Sequence, residues 1–384
     1  MAEKHEMASV PFVHRTKAAN AAVDFAAPAV QVKVGQAATT FFVNGDLLCS
    51  TSDYFKTVLK QEWREGKRRV VELPTDAADS FNAYMNWLHN RTVVLGYNDG
   101  QNPLLEINFD DLTDAYALGD KLLDGDFKDA VTDAVVVSMN TKDDNGNCVL
   151  PGAPDAHIYT LPNCIIPEPE AFDFAAPALV VKVGSPATTY FVNEHLICNA
   201  SMYFATAMKQ EWREGRRRVL DLCDENPKTF NIYLNWLYRK KLVIGYTEDQ
   251  NAVEHSKWSC LVNAYILGDK LIDPDFKDVV TDAMVLLYLT KRHAGVRVYP
   301  GCSHRVKLYE NTTEGSKARK LFVHLFAAYK TPHAEIERDP KEFLVDLTRS
   351  LMLGTQEDFE KTAKTCLFHE HKDGVCYRSK LQLQ

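Results

Sequence analysis

Four side chains near the C-terminal end carry the most specific chemistry in this 384-residue chain. Cys366, His369, His371 and Cys376 put two thiols and two imidazoles into a short C-x2-H-x-H-x4-C string. That is a ligand set suited to tetrahedral zinc. The ligand types fit a structural zinc site, whereas the spacing is tighter than such sites usually have. Ligands two residues apart reach one ion only if the chain between them is extended. The expectation is therefore that the four residues bind nothing and that the chain has no cofactor, with zinc at this tail as the alternative reading.

Other polar clusters are less informative. Arg64, Lys67, Arg68 and Arg69, matched by Arg213, Arg216, Arg217 and Arg218, could meet phosphate or act as an import signal. Acidic neighbours and the absence of interleaved aromatics favour a solvated turn instead. The carboxylate-rich strings DGDFKD from Asp124 and DPDFKD from Asp273 read as helix N-terminal caps. No Gly-rich phosphate loop, nucleophile elbow or HExxH helix occurs, so the sequence is expected not to encode an enzyme. A formal net charge of −8 argues against general nucleic-acid binding.

The nine cysteines form no disulfide-like framework, no apolar run reaches a membrane span, and the first 23 residues lack a secretory h-region. An intracellular protein, cytoplasmic or nuclear, is expected. The sequons at Asn90, Asn199 and Asn311 carry no weight in that compartment.

What must position these residues is a repeat. Residues from Asp24 to about Met139 recur from Asp173 to about Tyr288 at a constant offset of 149 (173 − 24) without a gap. Roughly half of the positions are identical, which shared composition cannot produce. DFAAPA, KQEWREG, NWL and LGDKL recur in register at Asp24 and Asp173, Lys60 and Lys209, Asn86 and Asn235, Leu118 and Leu267.

Within the first copy, Val30, Val32 and Val34, then Thr40 to Val43, predict a hairpin. Ser52 caps a helix carrying Tyr54, Phe55, Val58 and Leu59. A strand spans Arg69 to Leu73, and Phe81, Tyr84, Met85 and Leu88 mark a helix with Thr75 and Asp76 as available caps. Val93 to Leu95 is a short apolar run. Leu112, Ala115, Tyr116, Gly119 and Leu122 form one later helical face, and Phe127, Val131, Ala134 and Val135 another.

Domain boundaries follow. Residues 1–23 are read as a disordered N-terminus, or one short helix; 24–139 and 173–290 as the two copies; and 140–172, with Pro151, Pro154, Pro162, Pro167 and Pro169, as a linker. Residues 291–384 form a C-terminal helical region, with faces at Phe322, Leu325, Phe326 and Tyr329 and at Phe343, Leu344, Leu347 and Leu351.

The strings FFVNGDLLCSTSDYF from Phe41 and YFVNEHLICNASMYF from Tyr190, each followed by a strand and a helix ending NWLHN or NWLYR, resemble the BTB/POZ domain, particularly its divergent fungal form. The resemblance covers nearly the whole of both copies. Asn44 and Asn193 stand where the family usually has His, and YENTTEGSKARKLF from Tyr309 is similar to the segment that follows the domain in such proteins.

The resemblance implies an α/β (α+β) fold, with two tandem BTB/POZ-like domains, each a small sheet with a helical cluster. It implies a protein–protein interaction scaffold, and some members of the family are substrate adaptors for cullin-type ubiquitin ligases. The adaptor subset carries a hydrophobic-x-Glu motif, which here falls on Trp63 and Glu65 and again on Trp212 and Glu214. A Trp packed on its helix end beside a solvated Glu is the plain alternative.

Family homodimers bury a helix ahead of the first strand. The Pro-rich linker cannot supply one before Asp173, so intramolecular pairing of the two copies is expected over pairing between chains. The alternative function is a zinc-assisted nuclear regulator using the Cys/His tail.

Overall fold

The structure is a computed structural model that describes residues 22–95, 109–140, 165–167, 172–244, 250–290, 299–328, 336–353, 359, 365–371 and 376–382. The expectations for residues 1–21, for Pro151, Pro154, Pro162 and Pro169 in the linker, and for Tyr329 lie outside these residues.

Copy one begins with the hairpin β1 (Ala29–Val34) and β2 (Thr39–Asn44), followed by α1 (Gly45–Thr51), α2 (Asp53–Val58), α3 (Arg64–Arg68) and β3 (Val70–Leu73). Then come α4 (Ala78–Asn90), β4 (Val93–Leu95), α5 (Phe109–Lys121) and α6 (Gly125–Asn140). The linker contributes β5 (Ile165–Pro167), which runs parallel to β4.

Copy two repeats the plan with β6 (Ala178–Val183), β7 (Thr188–Asn193), α7 (Glu194–Ala200), α8 (Met202–Ala207), α9 (Arg213–Arg217) and β8 (Val219–Leu222). It continues with α10 (Pro227–Arg239), α11 (Gln250–Leu271) and α12 (Pro274–Leu289). The C-terminal helices are α13 (Cys302–Glu310), α14 (Lys317–Ala327), α15 (Lys341–Met352) and α16 (Tyr377–Gln382).

The chain is thus mixed α/β, with a small three-stranded mixed sheet in each copy. Their orders are β2-β1-β3 and β7-β6-β8. The hairpin is antiparallel and the third strand joins β1 or β6 in parallel. Alternation decides which face is covered: Val30, Val32 and Val34 are buried, and so are Leu179, Val181 and Val183.

Capping follows the sequence in most places. Ser52 and Ser201 accept from the amides of Phe55 and Phe204 at 3.2 Å and donate to Leu122 O and Leu271 O, tying each helix pair to its own later helices. Asp124 and Asp273 cap α6 and α12 and also accept from Tyr84 and Tyr233 hydroxyls at 3.1 Å.

One cap differs from expectation. Thr75 and Asp76 do not cap α4, whose N-cap is Ala77; both take the Lys121 ammonium of α5 instead. In copy two the cap is Asn226, which accepts from the Lys228 amide at 2.8 Å.

The two copies are joined by exchanged arms. Ahead of β1, the Val23 amide donates to Asn235 Oδ1 (2.9 Å) and the Phe25 amide to Asn231 Oδ1 (2.8 Å), both on α10 of copy two. Ahead of β6, the Phe172 amide donates to Asn86 Oδ1 (3.0 Å) and the Phe174 amide to Asn82 Oδ1 (2.7 Å), both on α4 of copy one. The Asn side chains return the contact, donating to Val23 O and Phe172 O.

Asparagines four apart share one helix face and offer both a donor and an acceptor, so an i, i+4 Asn pair can bind an extended backbone on its open edge. Asn44 and Asn193 fasten the arms at the other end. Each caps its helix and donates to Asp24 O (2.5 Å) or Asp173 O (2.6 Å).

Equivalent residues meet each other across this junction. Phe42 stacks on Phe191 at 5.3 Å, and His89 on Tyr238 at 4.9 Å (89 + 149 = 238), with Phe25 and Phe174 extending the stack. Contact of a residue with its own counterpart is the mark of a two-fold, isologous interface. The buried core continues from both copies into the C-terminal helices. There Trp258 of α11 meets Phe322 of α14, and the buried Arg305–Asp339 pair (2.5 Å) carries a guanidinium laid over Phe326 and Phe343. On α15 only Phe343 of the expected face is fully buried, and Leu351 is exposed.

His89 gives the junction a pH dependence. Burial, aided by the Arg239 charge, pushes its pKa down from 6.5 to about 3. The unfolded chain therefore binds a proton there that the folded chain refuses, and stability falls as pH drops from 6.5 towards 3. Denaturant unfolding at pH 5 should show roughly 1.5 kcal/mol less stability from this residue than at pH 6.5, and the His89→Phe variant should lose that component of the pH slope. With both arms satisfied within one chain, light scattering should return the 43.4 kDa monomer mass independent of concentration.

Candidate metal centre

Among the described residues, Cys366, His369, His371 and Cys376 form one cluster whose ligand atoms lie within 4.8 Å of one another. A turn closes Cys366 on His369, with the His369 amide donating to Cys366 O at 3.0 Å, and buried Phe368 anchors it. The backbone then opens through His369 and Glu370, so alternate side chains point apart. Both imidazoles face the thiols, while Glu370 turns away to Tyr265 and Lys277. The tight spacing is accommodated by this open stretch, the condition that ligands two apart require.

Three of the six ligand-atom separations fit the chemistry. Cys366 and Cys376 sulfurs are 3.9 Å apart, His369 Nδ1 and His371 Nε2 are 3.2 Å apart, and Cys376 Sγ lies 3.6 Å from His369 Nδ1. Zinc bonds of about 2.3 Å to sulfur and about 2.05 Å to nitrogen imply tetrahedral edges of about 3.8 Å for S–S, 3.3 Å for N–N and 3.5 Å for S–N. The residues present are therefore a Cys2His2 set that could hold a metal ion.

The surroundings orient the ligands. His369 Nε2 contacts Asp282 Oδ1 of α12 at 2.9 Å, leaving Nδ1 turned to the cluster, as in a carboxylate–histidine–metal arrangement. Asp282 also accepts from the Tyr377 hydroxyl and from Arg378 Nε (2.8 Å). One turn earlier on α12, Asp278 Oδ1 accepts the Glu370 amide at 2.5 Å. Its Oδ2 is buried without a hydrogen bond, 3.9 Å from His369 Nδ1.

The hydrogen bond from Cys376 outweighs burial and brings the Cys366 thiol down to about 7, while the shared bond and burial push Cys376 up to about 12. Burial opposes charge on His369, but the Asp282 hydrogen bond, the Cys376 contact and the charges of Asp282 and Asp278 lift it to about 9. A cluster that readies the Cys366 thiolate and holds protons on Cys376 and His369 can exchange those protons for a divalent cation.

The other singled-out residues are placed elsewhere. Trp63 and Trp212 are N-caps of α3 and α9 and are 54% and 53% exposed. Glu65 and Glu214 stand in the first turns of those helices. The glycine of each WREG string sets this geometry. A Cβ on Gly66 would sit 2.0 Å from Lys60 O, and one on Gly215 would sit 2.3 Å from Lys209 O, so only glycine lets the turn fold back and hold the Trp outward.

The basic runs include two residues with a structural role: Arg69 donates to Ala29 O at 3.3 Å and to Pro28 O, and Arg218 pairs with Glu194. The sequence reading missed Asp278, Asp282 and the tail's Glu370, Tyr377 and Arg378. No local pattern marks them, because each gains its role only when the tail lies on α12.

If the four ligands hold zinc, elemental analysis of purified protein should find about one zinc per chain, falling towards zero in Cys366→Ser/Cys376→Ser. Chelation should raise amide exchange in residues 365–382 while α4 and α10 keep their protection. Comparison with protein-family models and with curated proteins finds no match for this chain.

Proposed function

We propose that the chain is a non-enzymatic interaction scaffold of two BTB/POZ-like domains closed on each other, working inside the cell as an adaptor for a cullin-type ubiquitin ligase. The observation that carries this reading is the pair of tryptophans: two large indoles, each more than half exposed, held outward at equivalent turns beside a glutamate. Exposed Trp is expensive to leave in water and is the residue type that most often anchors a partner. The hairpin with a parallel third strand, followed by helices and used twice, supports the family reading. The arm exchange supports pairing within the chain in place of pairing between chains.

Zinc, in this reading, is a fastener. It would join Cys366, His369, His371 and Cys376 and so hold the tail on α12, where its neighbours already contact Asp278 and Asp282. Its place against a carboxylate-bearing helix favours this structural role over contact with nucleic acid. No helix among the described residues is long and apolar enough to cross a membrane.

The test is a pull-down from cell extract with wild type and with Trp63→Ala plus Trp212→Ala, checked for an unchanged thermal transition. A Trp anchor is worth about 2 kcal/mol or more, so the variant should retain roughly thirtyfold less cullin. Equal retention by both proteins, or none by the wild type, ends the adaptor reading.

A further inference from the structure

The internal repeat gives this molecule two versions of one helical face, and among the described residues only one is covered. On copy two, Tyr265, Lys277, Asp278 and Asp282 receive the tail. The Glu370 carboxylate takes the Tyr265 hydroxyl (2.6 Å) and Lys277 (3.1 Å), its amide donates to Asp278, and Asp282 binds His369, Tyr377 and Arg378. At the offset of 149 the copy-one residues are Tyr116, Lys128, Asp129 and Asp133, identical in type at all four places. Tyr116 is 44% exposed, and Asp129 and Asp133 are exposed, whereas Tyr265, Asp278 and Asp282 are buried.

Neighbouring positions have not stayed alike. Val262 and Ile266, buried on copy two, correspond to exposed Thr113 and Ala117. Two apolar contacts of the covered face are thus gone from copy one, although Val136 stays exposed where its counterpart Val285 is buried, while the directional polar set remains. That combination suits a partner that comes and goes, since a face left in water cannot keep large apolar residues without risking aggregation. Lys128 already lies over the Tyr116 ring at 5.0 Å, the arrangement that Lys277 makes with Tyr265 at 5.2 Å.

Resting on the scaffold reading above, we propose that the α5–α6 face of copy one is a second docking site. Its occupant is a segment of a partner protein that presents a glutamate to Tyr116 and Lys128 and an arginine to Asp129 and Asp133. Charge complementarity selects this chemistry: one cation and one hydroxyl are offered to a carboxylate, and two carboxylates one turn apart are offered to a guanidinium, which binds them with directional charge-assisted hydrogen bonds. The chain's own tail is the nearest example of such a segment: it gives Glu370 to Tyr265 and Lys277 and Arg378 to Asp282, while Asp278 takes the Glu370 amide, and tethering keeps it on copy two.

The probe is a fluorescent synthetic peptide of residues 365–382, titrated into the full-length, zinc-supplied chain and read by anisotropy. Saturable binding should weaken at least tenfold in Asp129→Asn/Asp133→Asn, and equally when the peptide carries Arg378→Ala, with further weakening as salt is raised. Peptide that binds the double variant as well as the wild type has exchanged onto copy two and overturns the proposal. Absence of saturable binding up to millimolar peptide also overturns it. Because the variant leaves Trp63 and Trp212 untouched, cullin retention by the same protein separates failure of this site from failure of the adaptor reading. A circular dichroism melt matching wild type shows that the substitutions act at the surface.

Discussion

Backbone groups of two short arms, Val23 to Phe25 and Phe172 to Phe174, find their partners on the opposite copy, and the architecture depends on that exchange. Each arm is irregular chain entering a turn, and its amides and carbonyls would otherwise face water or lie unpaired against apolar surface. Asn82 and Asn86, and Asn231 and Asn235, meet them with side-chain amides. A side-chain amide is suited to the task because it donates and accepts at once, and a buried one left without a partner would cost about 1–3 kcal/mol. The sheets, the aromatic stack at His89 and Tyr238, and the start of β1 and β6 are all registered by those few bonds.

Duplication followed by divergence explains the asymmetry between the halves. Tyr238 reaches the Asn193 amide with its hydroxyl at 2.7 Å, whereas the shorter His89 occupies the counterpart position with Nδ1 unsatisfied. A similar exchange occurs beside the arms. Gly45 leaves room for the Arg69 guanidinium, since a Cβ there would meet Arg69 Nη2, while copy two has Glu194 at the matching place and pairs it with Arg218. Both solutions satisfy an arginine that closes the end of the sheet, one by hydrogen bonds to backbone carbonyls and one by pairing with a carboxylate.

The C-terminal helices make copy two the more deeply buried half. Its α11 and α12 lie under α13, α14 and the tail, so Trp258, Tyr265 and Asp282 are interior, and the Cys2His2 cluster sits where the tail turns back. A buried carboxylate such as Asp282 is tolerable only because His369, Tyr377 and Arg378 surround it, and its pKa is held down against the effect of burial. The ligand cluster and this carboxylate therefore stabilise the same junction from two sides.

Sequence alone determined much of this protein. The repeat, its offset, the hairpins, the serine caps and most helical faces follow from local periodicity and capping chemistry, which act over a few residues and leave a readable pattern. The ligand set Cys366, His369, His371 and Cys376 was legible by residue type. Whether its short spacing could surround an ion was not, because that depends on the open backbone at His369 and Glu370 and on α12 lying behind it. Thr75 and Asp76 had the composition of caps, yet a lysine from a helix some 45 residues away claims them. Tyr116 and Tyr265 stand at the same place in the repeat, each shortly before LGDKL, and one is exposed while the other is buried. Only tertiary structure could decide these cases, since each turns on which distant surface arrives, and no periodicity within a window of a dozen residues records that.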